Sequence, residues 1–145
     1  MLAVYKESTG KVVYTIERKY SITESNLSLK TGRNYLITDE EFIRSSRHRI
    51  INGQAKLLPF IKLSTDKTEI DISTKPTFTL TVDITDTLED ETFDEVNIYV
   101  EDATFTVNLT ENQGSINIEL TNIGKYWIEC KDDEFRSEHL QVEAI

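Results

Sequence analysis

The chain is short of the residues that staple, kink or interrupt a fold. One Cys among 145 residues excludes an intrachain disulfide and any zinc cage built on cysteines. Five Gly and two Pro are too few for a collagen-like or linker-type chain. No apolar run approaches the roughly 18 residues that mark a membrane-crossing helix. Met1–Tyr5 runs straight into Lys6 and Glu7, without the apolar stretch of a secretion signal. His48 and His139 are the only histidines and stand far apart in the chain, and no serine sits in a G-x-S-x-G setting. The residues therefore predict no enzyme, no cofactor and no metal.

Six Tyr, six Phe and one Trp supply the bulk for an apolar core, which argues against global disorder. Charge divides the chain. Residues 1–63 carry 11 Lys/Arg and 6 Asp/Glu, net +5, whereas residues 64–145 carry 5 Lys/Arg and 20 Asp/Glu, net −15. Such a break is what two joined modules leave. Leu58-Pro59-Phe60-Ile61 reads as a pause in strand pairing at the same place, and Ser64-Thr65-Asp66-Lys67 follows as turn chemistry. The expected boundary lies near 58–64, dividing the chain into a small attachment module over 1–63 and a larger one over 64–145.

The first module reads as α+β. Leu2 to Glu7 and Lys11 to Arg18 are extended runs around Ser8-Thr9-Gly10, a hairpin whose glycine supplies a positive φ. Val12, Tyr14 and Ile16 are expected on its buried face, and Asn34–Ile37 is a shorter strand candidate. Thr38-Asp39-Glu40-Glu41 is a capping box flanked by Ile37 and Phe42 as a hydrophobic staple, which predicts a short helix ending near Ser45-Ser46. Asn52-Gly53, between Arg49-Ile50-Ile51 and Gln54–Leu57, is the strongest two-residue hairpin signal in the chain.

The second module alternates with period two. Phe78, Leu80, Val82 and Ile84 alternate with threonines and Asp83; Val96, Ile98 and Val100 follow, then Phe105, Val107 and Leu109. Further runs at Thr68–Ile72, Ile116–Leu120, Tyr126–Cys130 and Leu140–Val142 complete seven short strands, the pattern of an antiparallel β-sandwich. Gly124-Lys125-Tyr126-Trp127-Ile128 resembles the tyrosine corner of immunoglobulin-like folds, with Ile128 in place of the antibody-type cysteine. That resemblance implies a disulfide-free immunoglobulin-like sandwich of bacterial or viral type.

Ile37–Phe42, followed by Arg49–Lys56, resembles small tail-associated modules of tailed bacteriophages. Leu63–Ile70 resembles the opening of bacterial immunoglobulin-like domains appended to phage virion proteins. The resemblance implies a virion or phage-tail structural protein, oligomeric or partnered with other virion proteins, made in the host cytoplasm. It supplies no catalytic residues.

Two surfaces are candidates for interaction. Trp127 and Tyr99 fall on outward faces of their strands, with Thr79, Thr104 and Thr106 as expected neighbours. Aromatics among hydroxyls suit a protein interface or a sugar-stacking platform on a host surface glycan. In the first module Tyr5, Tyr14 and Phe42, with the basic cluster Arg44, Arg47 and Arg49, are the expected interface. The cluster lacks interleaved aromatics and the chain is strongly acidic, so an acidic protein surface suits it better than nucleic acid. The dense acids of 83–95 lack EF-hand spacing and read as a solvated loop, and Cys130 as a buried thiol.

Overall fold

The structure, a computed structural model, describes residues 1–16, 30–37 and 43–145. The chain divides into two compact units, Met1–Leu58 and Pro59–Ile145. Both are built from strands, and no helix occurs among the described residues.

In the first unit β1 (Leu2–Lys6) lies between β2 (Val12–Ile16) and β3 (Arg33–Ile37), both antiparallel to it. The β1–β2 turn closes through Gly10, at φ +73°, whose N–H donates to the Lys6 carbonyl at 2.8 Å. The Gly10 carbonyl accepts the Ile50 N–H at 2.7 Å, and a Cβ on Gly10 would stand 2.2 Å from the Ile50 oxygen. Glycine is required there twice over, for its backbone angle and for the closeness of the approach. The second hairpin, β4 (His48–Ile51) and β5 (Gln54–Leu57), turns on Asn52 and Gly53 at φ +51° and +73°, the handedness a two-residue hairpin favours. Ala3, Val12, Ile43 and Ile50 form the buried cluster, with Tyr5 and Leu36 packed against it.

Two expectations for this unit change. Thr38–Phe42, which carry the capping box, lie outside the described residues. Where the helix was to end, the Arg44 carbonyl accepts the N–H groups of Arg47 (3.0 Å) and His48 (2.8 Å), one closed turn that leads straight into β4. Ser45 and Ser46 favour turns over helix interiors, which suits the single turn found there in place of a helical one. The described part of the unit is thus all β rather than α+β. Tyr14 is also exposed, at 43%, although Val12 is buried. The β1–β2 register steps from Val4↔Tyr14 to Tyr5↔Val12, leaving Val13 as an extra residue that upsets the alternation.

In the second unit β6 (Phe60–Thr65), β8 (Thr77–Thr85), β11 (Gln113–Glu119) and the two-residue β13 (Arg136–Ser137) form one sheet, in the order β11-β8-β6-β13. The other contains β7 (Glu69–Ile70), β9 (Glu95–Val100), β10 (Ala103–Asn108), β12 (Gly124–Glu129) and β14 (Leu140–Ala144), in the order β10-β9-β12-β14-β7. Pairing is antiparallel except for β13 on β6 and β7 on β14. A single apolar cluster draws on both sheets: Ile61, Phe78, Leu80, Val82 and Ile118 from one, Ile98, Val107, Ile128 and Val142 from the other.

Phe60–Thr65, read from sequence as a pause and a turn, is a full strand. Pro59 stands just before it, where a missing N–H costs no ladder bond, and its carbonyl accepts the Arg136 N–H at 2.8 Å. The seam, Leu58/Pro59, lies within the expected 58–64 stretch, at its first residues rather than at 63/64, which falls inside β6.

Candidate functional site

Alternation along the five-stranded sheet turns one set of side chains into the core and the other to solvent. Ile98 and Val100 of β9 and Ile128 of β12 are buried, so Asn97, Tyr99, Trp127 and Glu129 face outward. Thr104 and Thr106 of β10 are exposed on the same face, paired in register with Tyr99 and Asn97. The four sequence-predicted binding residues Trp127, Tyr99, Thr104 and Thr106 therefore share one sheet face. Thr79 does not: it lies on β8 in the other sheet, where its hydroxyl donates to Asn117 Oδ1 at 2.9 Å.

Trp127 is 47% exposed, and its backbone is held on both sides. Its N–H donates to Glu101 Oε1 at 2.7 Å, while its carbonyl accepts the Glu101 N–H at 3.0 Å. His139 meets the indole edge-on, with ring centres 5.3 Å apart and planes at 80°. Tyr99 lies opposite Glu129, and Lys131 Nζ sits 4.5 Å from the centre of its ring, 3.6 Å from Glu129 Oε1. The Thr106 hydroxyl donates to Asn97 Oδ1 at 2.8 Å and fixes that amide. Beside Tyr99 opens a cleft of about 350 Å³ lined by Glu95, Asn97, Tyr99, Lys131 and Asp132. The face thus combines two aromatic side chains with planar amide and carboxylate groups and two ammonium groups, Lys131 over Tyr99 and the exposed Lys125 two residues before Trp127.

Sequence reasoning missed Asn97, Glu101, Lys131, Asp132 and His139. Asn97 shares parity with Tyr99 and was legible by alternation. His139, Lys131 and Asp132 lie outside the strands, so no periodicity pointed to them.

The first-unit candidates do not form one surface. Tyr5 packs against its own core, Tyr14 is exposed, and Phe42 lies outside the described residues. Arg44 and Arg47 are exposed, but Arg49 is only 5% accessible and drops out of the basic patch. Its strand is covered on both faces, since Ile50 beside it is buried as well. Across the bridge from Arg49 lies Lys11, also buried, whose ammonium donates to the Ser45 carbonyl.

The acidic segment 83–95 is pinned rather than loose. The Asn112 side chain accepts the Phe93 N–H at 2.8 Å and donates to the Glu91 carbonyl at 2.9 Å, while its backbone carbonyl takes the Ile84 N–H. Asp86 forms an ion pair with Arg136. Among the described residues no group of three His, Cys, Asp or Glu side chains converges as a metal cage. Cys130 is half-buried, and burial holds its thiol pKa above the ordinary value. Tyr126 is half-buried against the core, its hydroxyl donating to the Asn122 carbonyl at 2.8 Å.

No protein-family model, curated protein or solved structure matches the chain.

Proposed function

We propose that this chain is a non-enzymatic interaction protein of a tailed-phage or prophage particle, in which the first unit attaches and the second projects as an immunoglobulin-like module. The strand order of the second unit supports the immunoglobulin-like reading. Taking β6, β8 and β11 as strands A, B and E puts β9, β12 and β14 at C, F and G, with β10 as an added C′ strand. The Tyr126 hydroxyl bond to Asn122 has the form of a tyrosine corner at the start of strand F. The phage setting rests on the order of Ile37–Phe42, Arg49–Lys56 and Leu63–Ile70 along the chain.

The observation that carries the interaction reading is the outer face of the five-stranded sheet. It leaves the chain's one tryptophan half in water, yet clamps its backbone through Glu101 and steadies its ring with His139. Exposed aromatics held in place are characteristic of contact surfaces. The test is to induce the strain that carries the gene, purify particles on a density gradient, and probe fractions with an antibody to the full chain. The chain is expected to travel with the particles in constant proportion to the major capsid protein. Its absence from every particle fraction would overturn the reading.

A further inference from the structure

We propose that the outer face of the five-stranded sheet is a platform for an uncharged saccharide chain, with Tyr99 and Trp127 stacking on neighbouring sugar rings. This rests on the reading of that face as the binding face and names the ligand it takes. A pyranose ring offers a flat patch of C–H groups ringed by hydroxyls. Its natural receptor is an aromatic face bordered by side chains that both donate and accept hydrogen bonds.

The face has that composition. Tyr99 lies opposite Glu129, so Trp127 is its diagonal neighbour on the adjacent strand, about 7–8 Å away. That separation suits neighbouring rings of one glycan chain. Asn97, Glu95 and Asp132 line the cleft beside Tyr99, and at about 350 Å³ it falls within the range of small-ligand sites. Thr104 and Thr106 extend the hydroxyl lining along β10. Lys131 covers the Tyr99 ring in the free protein. Its side chain is half exposed and flexible, so a sugar ring can take the place of its ammonium while that ammonium stays within reach of Glu129.

Charge selects the class of glycan. Glu95, Glu101, Glu129, Asp132 and Glu143 outnumber Lys125 and Lys131 on this face, and residues 59–145 hold 20 Asp/Glu against 6 Lys/Arg. The resulting field repels sulfated or uronic polymers and leaves neutral chains as the ligands.

Trp127 is the only tryptophan, so its emission reports directly from the platform. The full chain is titrated with maltoheptaose, cellohexaose and chitohexaose as neutral probes and heparin as an anionic one, by fluorescence and calorimetry. At least one neutral oligosaccharide is expected to bind at millimolar concentration or below and to shift the Trp127 emission; heparin is not. Tyr99→Ala, which keeps the reporter, should weaken that binding about tenfold or more, and Trp127→Ala should do the same by calorimetry. No binding by any neutral probe, equal binding of heparin, or wild-type affinity in both variants overturns the proposal. If the chain nevertheless travels with particles, the platform fails and the broader interaction reading stands.

Discussion

The two units reach order by different means. In the second, long alternating strands place apolar side chains from two sheets into one cluster, and Phe78, Leu80, Ile98 and Ile128 are almost wholly buried in it. In the first, the described cluster has four buried members, with Val12 and Ile50 meeting from the two hairpins, and beside it runs a backbone contact, Gly10 to Ile50, with the buried cations Lys11 and Arg49 alongside. Burial that follows a period tolerates small local changes. A backbone approach too close to admit a Cβ does not, because only glycine fits at Gly10.

This contrast can be broken by substitution. Phe78→Ala removes a fully buried ring from the second unit and should cost about 3–5 kcal/mol, read as a lowered midpoint of the Trp127 fluorescence transition in urea. A loss under about 1 kcal/mol would show that the cluster collapses around the gap and that periodic burial is not what holds the unit. Gly10→Ala places a methyl against the Ile50 carbonyl at a positive φ. The backbone strain alone is worth about 1–3 kcal/mol, and amides of the first unit should lose hydrogen-exchange protection. Unchanged protection would mean that the hairpins do not depend on this approach.

Smaller effects sharpen the picture of the second unit. Tyr126→Phe should cost about 1 kcal/mol through the bond to Asn122, and a neutral result in urea would remove the tyrosine-corner assignment. The Cys130 thiol has a raised pKa in the fold, so the unfolded chain gives up this proton first as pH rises. Its contribution to stability is therefore present below the ordinary thiol pKa and declines above it. Alkylation by iodoacetamide should be slower than in urea-unfolded protein, and equal rates would contradict the burial of the thiol. Trp127→Ala, on the solvent side, should change stability by less than about 0.5 kcal/mol in urea melts followed by circular dichroism. A large loss there would assign the indole to folding rather than to binding.

Legibility followed locality. Asn52-Gly53 specified its hairpin because the turn conformation belongs to those two residues alone. The alternation of β8 and β9 specified which face is buried, and with it the outward placement of Tyr99, since parity needs no knowledge of the partner strand. Features decided by distant partners were not legible. β13 is two residues long and exists as a strand through pairing with β6, which a proline in front made resemble a break. Arg49 reads as a surface cation, yet its strand is covered on both faces. Asn112 looks like an ordinary turn residue, although its side chain organises an acidic segment about twenty positions upstream. The same limit applied to the candidate site: its strand residues were visible, and the loop residues that complete it were not.

The two parallel pairings bear on the order in which the second unit assembles. Glu69 pairs with Glu143 and Phe60 with Arg136, separations of 74 and 76 positions. The antiparallel neighbours β9 and β10, by contrast, meet across a two-residue turn. Loop-closure entropy makes the short connections form first and the long ones last. On the ribosome β6 and β7 therefore emerge well before the strands that complete their edges, and they wait with backbone groups exposed until residues 136–144 arrive. Closure of these two outer seams is therefore expected late in folding, after the local hairpins have formed.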